Sequence, residues 1–471
     1  MSDVTKRIIV CLAGVLAVVV AVGVALSLTV LRPEPDARIV RTAALVSRVP
    51  GAVLPTPAAE VFPVPESDPP KPSGPVLTSA LRPLITAAAL GRSVSVDVLD
   101  PRTGQHLLAQ AQTTPRTPAS TTKLLTSAAA LTALGPQTRL ATTVVAGASP
   151  GQVVLVGGGD VLLARGNSDP SLVSGRAGLT TLARQTAAAL TGQGVTTVSL
   201  ALDDTLFSGP VRAPSWDRTD VSEGFVAPIQ PLEINAGRSG PADYASRAND
   251  PALAAAQVFA RLLGRQGIHV SGAVRREKAA PAAKVLGRVD SAPISELVEY
   301  ALTYSDNTVA ETLGRLVAAK SGRPASFAEV GPAVLAQDRQ LGIPVTGAVL
   351  ADGSGLSDSN KVSPLALTQL LALATDVNHP QLRAILTGLP VAAVSGTLLN
   401  RFSGPHERVA AGVVRAKTGT LTGVDALAGT VVDADGRLLV FAAMADRTKA
   451  ATPAREALDK VATTLAACGC R

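Results

Sequence analysis

The chain has 471 residues, which is enough for roughly two or three domains with sizeable cores. Hydrophobic residues make up 46% of it but aromatic residues only 2%, so the core is expected to be aliphatic. A net charge of +7 without a dense run of Lys and Arg among aromatic residues argues against nucleic-acid binding. The three cysteines make no disulfide framework, and the four scattered histidines show no metal-ligand spacing, so no metal and no other cofactor is expected.

The N-terminal residues predict a membrane anchor. Lys6 and Arg7 precede an uncharged apolar run over residues 8–31, which is long enough to span a bilayer as a helix. A secretory signal usually has a shorter apolar region, and no small-residue cleavage site follows this run, so an uncleaved anchor is favoured over a cleaved signal. The positive residues before the run place the N-terminus in the cytoplasm. We therefore expect a single-pass protein of the cell membrane, with residues 1–31 as cytoplasmic stub and transmembrane anchor. The body would lie on the extracytoplasmic side, in the periplasm or cell wall.

The next segment, residues 32–76, is rich in proline and has little periodicity, which predicts an extended linker. The folded body is predicted to begin at residue 77. Alternating valines predict a strand over 93–99, and a return strand follows a turn at 100–104. The sequence Ser-Thr-Thr-Lys at 120–123 then opens a helix dense in Ala and Leu, which Gly135 and Pro136 end.

A change of sequence character separates this first part from the rest. Over residues 146–290, the pattern predicts strands at 152–156 and 197–202 and a tight turn at Gly-Gly-Gly-Asp, 157–160. This segment separates the first motif from the second. We therefore interpret 77–145 and 291–471 as the two parts of one domain, and 146–290 as a domain inserted between them.

Two further motifs follow the insertion. Ser-Asp-Asn at 305–307 interrupts a helical pattern, which predicts a turn between two helices, and Thr308 with Glu311 matches a capping box for the second helix. Lys-Thr-Gly at 417–419 is predicted on or beside a strand, since a hairpin signal at Asp435 and Gly436 follows it. Strands at both ends with helices between them predict an α+β fold. Its antiparallel sheet would join the two ends of the body and be flanked by helices.

Together the three motifs supply polar groups suited to acyl transfer through a serine. A serine hydroxyl is a poor nucleophile until a base takes its proton. Ser120 and Lys123 are three residues apart on a helix, so their side chains can touch. Lys123 can act as the base if burial or a neighbouring cation lowers its pKa, and Lys417 is a candidate for that cation. The backbone N–H of Ser120, at a helix start, would also point at a developing oxyanion.

Each motif alone has a simpler explanation. A capped helix with a solvated lysine accounts for the first motif, a helix cap for the second, and an ordinary turn for the third. The conjunction of the three, their order and their local contexts favour one catalytic site over three unrelated features.

This motif set resembles that of the penicillin-binding proteins and serine β-lactamases. Within that superfamily, the chain is similar to the D-alanyl-D-alanine carboxypeptidases of the penicillin-binding protein 4 type, peptidase family S13. The long insertion between the first and second motifs is typical of the same type. The similar stretches are residues 118–126, 157–160, 304–307, 352–357 and 415–423.

The resemblance implies a β-lactamase/transpeptidase-like domain with a defined set of catalytic residues. Ser120 would be the acylated nucleophile and Lys123 the base. Ser305 would relay a proton between the lysines and the leaving group, and Asn307 would hold the substrate amide. Lys417 would supply positive potential.

The resemblance also implies substrate-binding residues. Thr418 and Thr420 would bind the terminal carboxylate through their hydroxyl groups, with Gly419 between them, and the backbone N–H of Thr420 would complete the oxyanion hole. Asp160 is a candidate for contacting the amino group of the peptide stem. The sequence departs from the family pattern after Asp160, where Val-Leu-Leu stands in place of Pro-x-Leu.

The function implied is that of a penicillin-binding, serine-type D-Ala-D-Ala carboxypeptidase, with D,D-endopeptidase activity as an addition. Its substrates would be peptidoglycan stem peptides, and β-lactam antibiotics would be covalent inhibitors. Two alternatives remain open at this stage: a serine β-lactamase or esterase of the same superfamily, and a catalytically inactive protein that binds the cell wall. The long insertion and the lack of a local glutamate for deacylation argue against the first, and the intact motifs argue against the second.

Overall fold

The computed structural model describes residues 69–469. The predicted membrane helix over 8–31 and most of the predicted linker lie outside these residues. Within the part of the chain that is described, no helix is both long and apolar enough to cross a membrane.

The helices of the described residues are numbered in chain order: α1 (Gly74–Ile85), α2 (Thr122–Leu134), α3 (Leu179–Thr191), α4 (Pro251–Arg265), α5 (Ile294–Thr303), α6 (Asn307–Lys320), α7 (Phe327–Gln340), α8 (Pro364–Thr375), α9 (Arg383–Gly388) and α10 (Ala451–Ala467). The strands are β1 (Val94–Asp100), β2 (Gln105–Gln110), β3 (Arg139–Ala146), β4 (Gln152–Val156), β5 (Asp160–Leu163), β6 (Thr197–Asp203), β7 (Leu232–Ile234), β8 (His269–Val270), β9 (Arg275–Arg276), β10 (Val285–Pro293), β11 (Arg415–Leu421), β12 (Val424–Val432) and β13 (Leu438–Asp446).

The main sheet is antiparallel and has the strand order β11-β12-β13-β1-β2. Val94 of β1 lies opposite Ala445 of β13, so strands from the two ends of the body are direct neighbours, as the sequence predicted. Side chains alternate between the faces of the sheet. Phe441 packs with α1 and α10, whereas its neighbour Ala442 packs into the core on the opposite face. Both faces are therefore covered by helices.

The helical layer on that opposite face is centred on α2, which packs against α5, α6 and α7. Because neighbours surround α2, it is buried along most of its length instead of showing one apolar stripe. Its start is preceded by a 3₁₀ turn, Ala119–Thr121, which contacts β11 at the edge of the main sheet. The fold thus brings the first motif beside the strand that carries the third.

A second sheet has the order β10-β3-β4-β6-β8, with β9 paired to β6, and α3 and α4 contribute to its core. The strands of this second sheet begin at Arg139 and end at Pro293, so the sheet extends beyond the predicted limits of the inserted domain, residues 146 and 290. Those limits stay predictions. Part of the insertion joins the helical layer, since Phe207 and Trp216 belong to the core around α2.

Two local features differ from the predictions. Helix α1 begins at Gly74 with Pro75 in its first turn, so the linker predicted to reach residue 76 ends before this helix. Proline is tolerated in a first helical turn because its missing N–H has no helical partner there, and a proline-rich pattern does not distinguish the two cases. The prediction of a capping box at Thr308 and Glu311 is also wrong. Asp306 caps α6 instead, by accepting a hydrogen bond from the N–H of Val309 at 2.9 Å.

Candidate active site

The first motif lies where the 3₁₀ turn Ala119–Thr121 passes into α2. The Nζ atom of Lys123 donates a hydrogen bond to Oγ of Ser120 at 3.0 Å. The two side chains therefore meet as neighbours one helical turn apart. Ser120 remains partly exposed whereas Lys123 is fully buried, so a substrate can reach the serine while the lysine stays shielded from water.

Lys123 donates to two further acceptors, Oδ1 of Asn307 at 2.6 Å and the carbonyl oxygen of Ser354 at 2.7 Å. Burial lowers the pKa of Lys123 to about 8, although the carboxylates of Asp352 and Glu311 act in the opposite direction. A lysine with such a pKa is partly neutral near pH 7. It can therefore accept the proton of a serine hydroxyl.

Ser305 and Asn307 of the second motif occupy the turn between α5 and α6. Ser305 has a φ of 55°, and its Oγ accepts a hydrogen bond from Nζ of Lys417 at 2.9 Å. Nδ2 of Asn307 donates to the carbonyl oxygen of Phe225 at 3.0 Å. This bond fixes the amide so that its oxygen faces Lys123.

The middle residue of the second motif, Asp306, holds this turn in place. One carboxylate oxygen caps α6, and the other accepts a hydrogen bond from Nη2 of Arg238 at 2.7 Å. Burial alone would raise the pKa of Asp306, but Arg238 and the cap bond lower it below its ordinary value. Asp306 is therefore ionised and positions its two neighbours in the motif.

The third motif lies on β11, the edge strand of the main sheet. A Cβ atom at Gly419 would lie 2.5 Å from the carbonyl oxygen of Pro118, so glycine is needed for β11 to approach the turn that carries Ser120. The hydroxyl oxygen of Thr418 lies 2.9 Å from that of Thr397.

The two other predicted binding residues have different surroundings. The hydroxyl group of Thr420 lies on β11 and donates to Oδ1 of Asp425 at 3.4 Å. Asp160 is buried in β5, and its carboxylate accepts a hydrogen bond from the N–H of Leu162 at 2.9 Å. Among the described residues, Asp160 has no hydrogen bond to any residue of the three motifs.

The two lysines form a coupled pair. Nζ of Lys417 donates to Ser305 and to the carbonyl oxygen of Thr418 at 3.0 Å. Burial, and then the nearby charges of Lys123 and Arg401, lower the pKa of Lys417 well below its ordinary value. The positive charge of Lys123 therefore disfavours the charged form of Lys417. An anionic group on the substrate would restore the charge of Lys417.

A loop over residues 352–357 contacts Lys123. The carbonyl oxygen of Ser354 in this loop accepts a hydrogen bond from Nζ of Lys123 at 2.7 Å. Asp352 organises the loop by accepting hydrogen bonds from the N–H groups of Gly355 and Ser357 and from Nε1 of Trp216. The loop is thus part of the catalytic centre.

Glu311 is a further residue that sequence reasoning missed. It is fully buried, and its carboxylate accepts hydrogen bonds from the N–H groups of Gly353 and Ser354 at 2.7–3.0 Å. Burial and the neighbouring Asp352 raise the pKa of Glu311. The sequence offered one clue, since an acid four residues after Asn307 lies on a helix with an apolar stripe of Val309, Leu313, Leu316 and Val317. The capping-box interpretation obscured it.

Among residues 69–469, no group of three or more His, Cys, Asp or Glu side chains is arranged to hold a metal ion. The three motifs bring together two serines, two lysines and an asparagine. Geometry of this kind is that of the penicillin-interacting serine acyltransferases, in which a serine is acylated without a histidine.

Comparison with known proteins identifies the family. Residues 77–242 and 238–465 match the model of the D-Ala-D-Ala carboxypeptidase 3 (S13) family, and the chain belongs to that family. The resemblance predicted from the motifs is thereby confirmed.

Curated relatives agree with this assignment. The chain is 38% identical to carboxypeptidase DacB of Mycolicibacterium smegmatis over 405 residues, which is 85% of this chain and 86% of the relative. It is 30% identical to a D-alanyl-D-alanine carboxypeptidase of an Actinomadura species over 436 residues, covering 74% of this chain and 77% of that protein. The crystal structure of penicillin binding protein 4 from Haemophilus influenzae superposes with a TM-score of 0.67 at 24% identity, covering 82% of this chain and 98% of the other. This superposition shows a shared fold.

Proposed function

We propose that this protein is a serine-type D-Ala-D-Ala carboxypeptidase that acts on peptidoglycan stem peptides through an acyl-enzyme on Ser120. The observation that carries the proposal is the contact between Ser120 and a buried lysine whose pKa is lowered to about 8. Membership of the S13 family and the names of the curated relatives support the choice of substrate.

Acylation starts with attack of Ser120 Oγ on the carbonyl carbon between the two terminal D-Ala residues. Neutral Lys123 accepts the hydroxyl proton as the new ester bond forms. The tetrahedral oxyanion is bound by the backbone N–H groups of Ser120 and Thr420. As the amide bond breaks, Ser305 donates a proton to the leaving amine and takes one from Lys417. Free D-Ala departs, and the peptide remains as an ester on Ser120.

Deacylation reverses the roles of the groups. The proton that Lys123 accepted during acylation first returns to Lys417 through Ser305, so Lys123 is neutral again. Water then attacks the ester and gives a proton to Lys123, which passes it to the oxygen of Ser120 as that oxygen leaves. The terminal carboxylate of the substrate is bound by the hydroxyl groups of Thr418 and Thr420 beside Lys417. A β-lactam presents a similar carboxylate and a strained amide, so it acylates Ser120 and inhibits the enzyme covalently. The same mechanism cleaves a D-Ala-linked cross-bridge, which would add D,D-endopeptidase activity.

The test uses the full chain with labelled penicillin and with a pentapeptide that ends in D-Ala-D-Ala. We expect a long-lived label that is absent from the Ser120→Ala variant, together with release of free D-Ala. Rapid turnover of penicillin without release of D-Ala would instead indicate a β-lactamase. Absence of labelling in folded protein would indicate a wall-binding protein without catalytic activity.

We further infer that the body works outside the cytoplasm, anchored in the cell membrane by residues 8–31. The apolar run after Lys6 and Arg7 supports this placement, and so does a substrate that lies in the cell wall. Fractionation of cells that produce the full chain, followed by protease treatment of intact spheroplasts, tests it. Recovery in the membrane fraction with the body digested from outside is expected, and a protease-resistant body would refute the topology.

A further inference from the structure

A loop over residues 391–401 lies beside the third motif, although none of the three motifs includes it. It carries Thr397, whose hydroxyl oxygen lies 2.9 Å from that of Thr418. Thr397 is exposed and Thr418 is partly exposed, so the pair lies at the surface of the protein. Under the proposed function, Thr418 binds the terminal carboxylate of the substrate. Its neighbour is therefore a candidate for a role in the same step.

Both ends of the 391–401 loop are attached to neighbouring elements. At its start, Val391 forms an antiparallel bridge with Arg415 of β11, the strand that carries the third motif. At its end, the guanidinium group of Arg401 donates two hydrogen bonds to the carboxylate of Asp459 on α10, at 2.6 and 3.1 Å. Paired bonds of this kind fix the orientation of both groups. The loop is therefore held on both sides of Thr397.

The middle of the loop packs against the end of α5, just before the second motif. Gly396 has a φ of 56°, and a Cβ atom there would lie 2.4 Å from the carbonyl oxygen of Thr303. Glycine therefore permits a close approach that another residue would prevent. Gly396 and Thr397 belong to a 3₁₀ turn whose last residue, Leu398, is fully buried. The backbone that carries Thr397 is thus fixed before any ligand binds.

The contact between the two threonines has a preferred direction once a carboxylate is bound. A hydroxyl group has one hydrogen to donate and two lone pairs that accept. In the free protein, either threonine can be the donor. A carboxylate only accepts hydrogen bonds, so Thr418 must give its single hydrogen to the carboxylate. Thr397 must then donate to Thr418, and this bond leaves the hydrogen of Thr418 directed at the ligand.

The hydroxyl group of Thr420 has a different kind of partner. It donates to Oδ1 of the buried Asp425 at 3.4 Å. A carboxylate partner takes the hydrogen of a hydroxyl group, whereas a hydroxyl partner can supply one. Of the two threonines on β11, Thr418 is therefore the one whose hydrogen its neighbour keeps available for a ligand.

The surrounding charges favour an anion beside Thr418. Nζ of Lys417 donates to the carbonyl oxygen of Thr418 at 3.0 Å. Burial, then the charge of Lys123 and then that of Arg401 lower the pKa of Lys417. The 391–401 loop thus adds a positive charge, that of Arg401, which Asp459 partly offsets. A bound carboxylate would favour the charged form of Lys417.

We propose that Thr397 is a positioning residue for the terminal carboxylate of the substrate. Its hydroxyl group donates to Oγ1 of Thr418 and thereby directs the hydrogen of Thr418 at the carboxylate. The inference rests on the proposed function and adds to it a residue outside the three motifs that serves specificity for a free C-terminus. Thr397 acts through Thr418, so its effect depends on the hydroxyl group of Thr418 and on the carboxylate.

The test uses the full chain and two peptides that end in D-Ala-D-Ala, one with a free carboxylate and one with a C-terminal amide. Thr397→Val removes the hydroxyl group but keeps the shape of the side chain. We expect kcat/KM for the free peptide to fall about fivefold or more, mainly through KM. For the amidated peptide it should change less than about twofold, because a neutral amide gains less from the bond and can itself donate to Thr418.

Two control variants accompany this comparison. Thr397→Ser keeps a hydroxyl group and should retain most of the wild-type kcat/KM for the free peptide. Thr196→Val removes a hydroxyl group from an exposed threonine just before β6 and should leave both peptides unaffected. Equal losses with the free and the amidated peptide in Thr397→Val would indicate a structural role and would overturn the proposal.

A double-mutant cycle identifies the residue through which Thr397 acts. Thr418→Val should lower kcat/KM for the free peptide, and adding Thr397→Val should lower it no further. Additive losses would mean that Thr397 acts independently of Thr418, which contradicts the proposal. If the wild-type protein does not cleave the amidated peptide, this cycle decides the question alone.

The inference and the proposed function can fail separately. Normal release of D-Ala by Thr397→Val, with unchanged kcat/KM, would overturn only the role of Thr397. If penicillin labels Ser120 but the free peptide releases no D-Ala, the proposed carboxypeptidase fails. The same cycle measured on penicillin acylation then tests Thr397, since penicillin also carries a carboxylate. Absence of both reactions in folded protein would overturn both proposals.

Discussion

The pH dependence of acylation gives a direct test of Lys123 as the base. Its pKa is lowered from 10.5 to about 8 because the side chain is fully buried. At pH 7, about one molecule in ten then carries a neutral amine, against about one in three thousand for an ordinary lysine. Between pH 6 and pH 8 the neutral fraction rises from about 1% to about 50%. The acylation rate constant should therefore rise about fiftyfold over this interval and flatten above about pH 9.

The assay is stopped-flow acylation by a fluorescent penicillin, which reports the first chemical step separately from hydrolysis. Lys123→Arg serves as the control, because a guanidinium group keeps a positive charge of similar reach but stays protonated throughout this range. That variant should lose most of the activity and the rising limb together. A wild-type rate constant that changes less than about twofold, or that keeps rising to about pH 10, would show that Lys123 does not act as a base with the lowered pKa.

Three further changes test the surroundings of the site. Glu311→Gln removes a carboxylate oxygen that accepts hydrogen bonds from backbone N–H groups. A buried donor left unpaired costs about 1–3 kcal/mol, so the rate of penicillin acylation and Tm should both fall. An unchanged rate and Tm would exclude a positioning role for Glu311. Gly355→Ala would place a Cβ atom 1.8 Å from the carbonyl oxygen of Ala119, so acylation should drop by about tenfold or more. Gly342→Ala controls for backbone strain alone, because Gly342 has a φ of 80° and a Cβ atom there would have nothing within 4 Å. Equal losses of the acylation rate in both variants would show that the contact with Ala119 is not the cause. Burial raises the pKa of Asp160 to about 7, so its contribution to stability is complete below about pH 4 and is lost as pH rises through 7. Asp160→Asn should therefore raise Tm relative to wild type more at about pH 8 than at about pH 5. An equal rise in Tm at the two pH values would refute the raised pKa of Asp160.

Local sequence patterns predicted the elements that carry the three motifs because those signals are short-ranged. A glycine-proline pair ends α2, alternating valines mark β1, and the turn at Asp435 and Gly436 joins β12 to β13. The motif order then gave the family. What these patterns could not give is the support under Lys123, because it comes from a loop and a helix that are far from it in sequence.

Glu311 and Ser354 illustrate that limit. A glutamate three residues after a threonine at a helix start has the pattern of a cap, and only the packed structure shows its carboxylate binding the loop at 353–354. Ser354 acts through its carbonyl oxygen, which every residue possesses, so its side chain carries no signal of the role. The binding role that the family resemblance implies for Asp160 stays a prediction. Its carboxylate is buried in β5 and accepts a hydrogen bond from the N–H of Leu162.

The pairing of β1 with β13 has a consequence for how the protein matures. Ser93 and Asp446 share a hydrogen bond although 353 residues separate them in sequence. During synthesis the hairpin β1–β2 therefore has an unpaired edge until β13 has been made, and such edges are prone to wrong pairing. The strand that carries Lys417 joins the sheet through the same late strands. The capacity to attack a peptide therefore arises only when folding is nearly complete, so a partly synthesised chain is not yet a hydrolase.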